Sequence, residues 1–222
     1  MDGAFQEAPR KTLTPVQGLA ITDAPEGLGQ LHHAACAGVA WQREPLPEIQ
    51  AWLDGLSPAH WPRARIVVPP LAVRTALTEL FDATGTPAGP ERDCLIDDIA
   101  ALAGMFADLM ASPYVRVRME VVDTNACRLF HVDQLTARMI CTYRGPGTEF
   151  GRAKRGQVPE VIGAVPTGSV YVMRGSLWPV VGAQEDMLLH RSPPVEGTGQ
   201  TRFVLVLDGM QEAQEDGPQE CI

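Results

Sequence analysis

The hydrophobic pattern changes period about halfway along the chain. In "LPEIQAWLDGLSP", Ile49, Trp52 and Leu53 share one face behind Pro47 and ahead of Gly55, which predicts a short helix. "LAVRTALTELFDATG" keeps mostly helical spacing through Leu71, Ala72, Thr75, Leu77, Leu80 and Phe81, with Gly85 as a terminator. A third helix follows in "ERDCLIDDIAALAGMFADLMAS", where Ile96, Ile99, Leu102, Phe106 and Leu109 recur every three or four residues. Between the first two lies "RIVVPP", a short apolar run of strand length.

From Tyr114 onward the period is two. Val115, Val117, Met119 and Val121 alternate with Arg116, Arg118 and Glu120, the signature of a strand with one wet face. "CRLFHVD", "LTARMICTYR", "SVYVMRG", "DMLLHR" and "RFVLVLD" follow, each of strand length and set apart by Gly, Pro, Asp or Thr. Strands in series after a helical block predict an α+β fold, a helical N-terminal half packed on an antiparallel sandwich or barrel. The expected division is a loosely ordered arm over 1–30, a helical layer over 31–112, a strand-built core over 113–210 and a mobile acidic tail over 211–222.

Composition narrows the function classes. With 222 residues, 45% of them hydrophobic, the chain can bury a substantial core. A formal charge of -9 and the lack of a Lys/Arg run argue against nucleic acid and anionic membrane as partners. The N-terminus lacks a signal-peptide pattern and no window approaches a membrane span, so the expected compartment is the cytoplasm. Five scattered cysteines without a CxxC pair are expected to be reduced thiols.

Candidate chemistry centres on His131 and Asp133, which on a strand would project from the same face. His190, at the end of "DMLLH", is the other histidine of the strand-rich half. Two imidazoles and a carboxylate form the facial triad that suits Fe(II), and the same donors accept Zn. Without a metal, His131 and Asp133 would form a hydrogen-bonded structural pair; with Cys127 or Cys141 added, they would close a four-ligand zinc site. Arg202 opens the strand after His190, and its planar fork matches a carboxylate through paired hydrogen bonds. Asp208, Asp186 or Glu196 could be its structural partner instead. Tyr143 and Arg144, beside the Gly145-Pro146-Gly147 turn, are expected at the mouth of the pocket, with Arg202 among the cofactor-binding residues.

The order HxD, then a distant His, then Arg about a dozen residues later resembles the Fe(II)/2-oxoglutarate-dependent dioxygenase superfamily. That resemblance implies a double-stranded β-helix, a cupin-like jelly roll, with His131, Asp133 and His190 as iron ligands and Arg202 holding the distal carboxylate of 2-oxoglutarate. It implies hydroxylation of an unidentified small-molecule or protein substrate. Many members carry Ser or Thr two residues after the arginine, where this chain has Val204. "CRLFHVDQLTARMICTYRGPGTEF", "VYVMRGSLW" and "HRSPPVEGTGQTRFVLVLD" are also similar to an uncharacterised bacterial domain family with members in zinc-responsive gene neighbourhoods. This second likeness implies the alternative of a cupin-like zinc-binding protein of metal homeostasis.

Overall fold

The computed structural model describes residues 13–45, 47–125, 127–179 and 186–213. In chain order the elements are β1 (Leu19–Thr22), β2 (Gly38–Trp41), α1 (Pro47–Gly55), β3 (Ala64–Val68), α2 (Val73–Ala83), α3 (Pro90–Met110), β4 (Tyr114–Val122), β5 (Ala137–Arg144), β6 (Glu149–Ala153), β7 (Ile162–Ala164), β8 (Val170–Arg174), β9 (Met187–Arg191) and β10 (Arg202–Met210), with short 3₁₀ turns between some of them. A seven-stranded sheet runs β1-β2-β8-β5-β10-β4-β3, and a three-stranded sheet runs β7-β6-β9. Among the described residues no helix is long and apolar enough to cross a membrane.

Each helix follows its apolar stripe. Pro90 and the acidic Glu91 and Asp93 suit the first turn of α3, and Leu95, Ile96, Ile99, Leu102, Ala103 and Phe106 are buried along one side. They pack on the face of the large sheet carrying Val115, Val117, Met139, Cys141, Leu205 and Leu207. The opposite face carries Ile140, Tyr171, Met173, Val204 and Val206, which meet Phe150 and Leu188 of the small sheet. The result is three layers: helices, large sheet and small sheet. A polar clamp ties the first two together. Arg43 donates to both carboxylate oxygens of Asp98 on α3, at 2.5 and 2.7 Å, and to Gly168 O at 2.7 Å, while the Tyr143 hydroxyl donates to Asp98 at 2.6 Å.

The N-terminal half is less purely helical than its pattern implies. β1 pairs in parallel with β2, β2 pairs with β8, and β3 pairs with β4, so the large sheet draws three strands from that half. "GVAW" shows no alternation because Gly38, Val39 and Ala40 are all buried, each on a covered face. Leu13 is buried too, so the described part of the expected arm is packed against the domain. Residues 1–12 and 214–222 of the expected arm and tail lie outside the described residues. "CRLFHVD" is not a regular strand: among the described residues between β4 and β5 the chain is irregular, and only His131 forms a bridge, with His190. The wet face expected on β4 is covered at Arg116, which is 3% exposed, and opens toward Glu120.

Candidate functional site

His131 and His190 face each other across the edge of the small sheet. Each backbone N–H donates to the other's carbonyl at 3.0 Å, and the two ring centroids lie 4.4 Å apart. This reciprocal pair extends the sheet by one bridge beyond β9. Asp133 sits two residues further on, where the Gly175 turn packs against its backbone: Ser176 N–H donates to Asp133 O at 2.8 Å and Gly175 N–H to Thr136 O at 2.8 Å. A Cβ on Gly175 would fall 2.0 Å from Leu135 O and 2.8 Å from Asp133 O, so only glycine permits this approach.

The three side chains converge. One donor atom from each of His131, Asp133 and His190 lies within 4.8 Å of the others. His131 Nε2 stands 3.7 Å from Asp133 Oδ1, and His190 Nε2 stands 3.2 Å from Asp133 Oδ2. His131 Nδ1 is 2.8 Å from Leu129 O; since a carbonyl only accepts, Nδ1 carries a proton, which leaves Nε2, on the side of Asp133, as the nitrogen able to ligate once the ring is neutral. Asp133 Oδ1 accepts from Arg138 at 2.6 Å, whereas the buried Oδ2 is met only by the His190 ring at 3.2 Å, without an aligned hydrogen bond. A buried carboxylate oxygen so weakly satisfied between two imidazoles fits a cation in that gap.

The electrostatics follow from this crowding. Burial alone would raise the Asp133 carboxyl, but His131, His190 and Arg138 outweigh it and hold the group well below the usual carboxylate range. The hydrogen bond with Asp133 raises His131. Burial lowers His190 despite the same carboxylate, so its neutral form, the one that ligates metals, is favoured. Arg138 is the residue whose part the sequence reading missed. It shares its guanidinium between Asp133 and Asp208, donating to the latter at 2.7 and 3.0 Å. Its signal was available: Arg138 alternates with Ala137 and Met139 on β5 and so points to the same side as Thr142.

Arg202 is 3% exposed, and among the described residues no carboxylate lies within ion-pair distance of it. The carboxylates considered as partners go elsewhere or stay apart, Asp208 being held by Arg138. Arg202 instead donates to Pro146 O at 2.7 Å and to the Ser192 hydroxyl, with the hydroxyls of Thr142 and Thr148 at 3.4 and 3.5 Å. Burial pushes its guanidinium down to about 10. Val204, which occupies the Ser/Thr position, pairs directly with Thr142, so the neighbouring strand brings a hydroxyl to the arginine. The Gly145-Pro146-Gly147 turn, expected as a rim, forms a wall of this pocket: a Cβ on Gly145, whose φ is +82°, would meet Thr201 O at 2.7 Å.

Other candidates are placed elsewhere. Tyr143 is buried with its hydroxyl on Asp98, on the helix-facing side of β5, and Arg144 pairs with Asp54 at 2.5 Å over the ring of Trp61. Neither belongs to the hydrogen-bond sets of Asp133 or Arg202, so this arrangement gives no support for their expected cofactor contacts; alternation sends Tyr143 to the far face. Cys141 faces the helices as well, and burial pushes its thiol up to about 11. Cys127 is disulfide-bonded, against the expectation of reduced thiols throughout. Among the described residues the metal-capable group contains no thiol.

Comparison with known proteins bears on family and fold. The profile of a family described as "Protein of unknown function (DUF1826)" matches residues 22–208. No curated protein matches the chain. Among solved structures, the dioxygenase for auxin oxidation 1 from Arabidopsis thaliana, in a complex with 2-oxoglutarate, superposes with a TM-score of 0.51 at 9% identity, over 89% of this chain and 93% of that one. The dioxygenase for auxin oxidation from rice gives a TM-score of 0.50 at 13% identity, over 88% of this chain and 83% of that one. At such identities the likeness is one of fold, and it supports the jelly-roll part of the expected architecture.

Proposed function

This chain belongs to the DUF1826 family, a family of unknown function, and we propose that it acts as an Fe(II)- and 2-oxoglutarate-dependent dioxygenase. One observation carries the reading. On a jelly-roll fold, the buried Asp133 Oδ2 lies between two imidazoles without an aligned hydrogen bond, while the buried Arg202 has no carboxylate within ion-pair distance among the described residues. A cation and a dicarboxylate complete these two deficits. In this reading His131, Asp133 and His190 hold the metal, leaving positions open for small molecules. Iron and 2-oxoglutarate together supply oxidising power from O₂, yielding succinate, CO₂ and a hydroxylated substrate.

The chain's own residues supply orientation. Arg202 offers its fork to the far carboxylate, and the hydroxyls of Ser192, Thr142 and Thr148 fix the guanidinium and give that carboxylate further donors. Arg138 keeps Asp133 Oδ1 engaged, so the carboxylate presents one oxygen to the metal. Leu129 O fixes the His131 ring with Nε2 free. Buried Ile140, Val204 and Val206 exclude water from the sheet interior nearby.

Anaerobic titration tests the proposal. A visible absorption band requiring both Fe(II) and 2-oxoglutarate is expected, with succinate formed on admitting O₂ and the band lost in His131→Ala and His190→Ala. Tight Zn(II) binding with neither the band nor succinate would replace this reading with that of a metal-holding protein. Unchanged metal content in both variants would remove the site altogether.

A further inference from the structure

The inner face of the large sheet continues past the triad onto β4 and β3, and there it is basic. Residues paired across a sheet share a face. One row contains Arg138, Asp208, Arg116 and Val67, and the next contains Ile140, Val206, Arg118 and Arg65. An open groove of about 490 Å³, lined among others by Arg63, Arg65, Arg118, Glu120 and Val122, lies over the β3–β4 end.

The acids on this face do not balance its arginines. Asp208 receives two hydrogen bonds from Arg138, at 2.7 and 3.0 Å, and stands 3.6 Å from Arg116, leaving Arg118 at 4.0 Å. Glu120 meets Arg118 at 3.3 Å, but its side chain is 44% exposed, so water weakens that pair. Arg118 Nε is buried with no hydrogen-bond partner. Arg63 donates to Val121 O at 2.9 Å, and among the described residues neither Arg63 nor Arg65 has a carboxylate within ion-pair distance. Burial, then the nearby charges of Arg138 and Arg65, push the Arg118 guanidinium down. A chain with a net charge of -9 thus gathers positive charge in a groove that connects to Asp133 through Asp208 and Arg138.

We infer that this groove holds the anionic end of the substrate, a carboxylate or phosphate received by Arg65 and Arg118, with the rest of the molecule directed along the sheet toward the triad. The inference rests on the dioxygenase reading for the fate of that molecule, but not for its binding. An oxyanion there accepts from the guanidinium ends of Arg65 and Arg118 and offsets the mutual repulsion of the arginines.

Protein-observed NMR of the full chain, titrated with benzoate, phenyl phosphate and the neutral benzamide, reads the groove directly. At least one anion is expected to shift amides of residues 63–65 and 118–122, with benzamide leaving them in place. Arg65→Gln, an exposed position, and Arg118→Gln are each expected to weaken that binding by roughly tenfold. An equal response to benzamide, or undiminished anion binding in both variants, overturns the inference. Binding of Fe(II) and 2-oxoglutarate is measured in parallel. Its failure with the anion response intact sinks only the dioxygenase reading; its success with no anion response sinks only the groove.

Discussion

Asp133 depends on a neighbour that no motif names. Arg138 bridges it to Asp208 from a position 10% exposed, so Arg138→Ala takes from two buried carboxylates the partner that hydrogen-bonds both. The expected cost is about 3–5 kcal/mol of stability and, under the proposed metal reading, a roughly 10–100-fold loss of metal affinity, read by urea unfolding and metal titration; Arg138→Lys recovers only part, lacking the fork. A second residue-scale effect lies on the other side of β5. The Cys141 thiol is held at about 11, above its unfolded value, so the native state keeps a proton that the unfolded chain releases. Its contribution is present below the ordinary thiol value of about 8.5 and is lost as pH rises through about 11. The stability difference between the wild type and Cys141→Ala should therefore shrink between pH 8 and pH 11 in urea melts. At this scale the spacing of His131 and Asp133, followed by His190 and Arg202, is what the sequence offers, and the fold brings the first three within 4.8 Å of one another. Tyr143 and Arg144 stand out by proximity to a turn, which says nothing about which face a strand residue takes, whereas Arg138 passes unnoticed although alternation on β5 puts it on the side of Thr142.

The helices α1, α2 and α3 were legible from period alone, as were β4, β5, β8, β9 and β10. Of the missed strands, β1, β2 and β7 are three or four residues long, too short to show a period, β2 being covered on both faces; β6, "EFGRA", is five residues long but has Gly151 at its centre and no apolar alternation. The segment around His131 misled for a different reason. "CRLFHVD" has strand composition, yet its placement comes from one bridge to His190 and from the Gly175 turn behind Asp133. Gly175 is accordingly a sensitive point of the element. Gly175→Ala drives a methyl onto Leu135 O and Asp133 O, with an expected cost of about 1–3 kcal/mol. Metal affinity should fall well beyond what that loss of stability explains, since the backbone that must move carries Asp133; far-UV circular dichroism and metal titration separate the two effects.

At the scale of the whole molecule the layers divide the labour. The helix-facing side of the large sheet holds the apolar core and the Arg43–Asp98–Tyr143 clamp, while the inner side holds the triad, Arg202 and the basic groove. Asp98→Ala leaves Arg43 and Tyr143 half-satisfied and should cost about 3 kcal/mol in a urea melt. Metal affinity should be nearly unchanged, because the clamp acts on the opposite face of β5. Sequence period anticipated this division only partly, since strands from the N-terminal half complete a sheet whose centre lies in the other half. The reciprocal main-chain bonds between His131 and His190 bear on the life of the protein in a cell. They hold the two backbones that carry the imidazoles side by side through bonds that involve no side chain, unlike domains that fold only around their metal. Under the proposed reading, the two histidines would stay paired when the metal leaves, and loading would be a reversible equilibrium with the free metal pool.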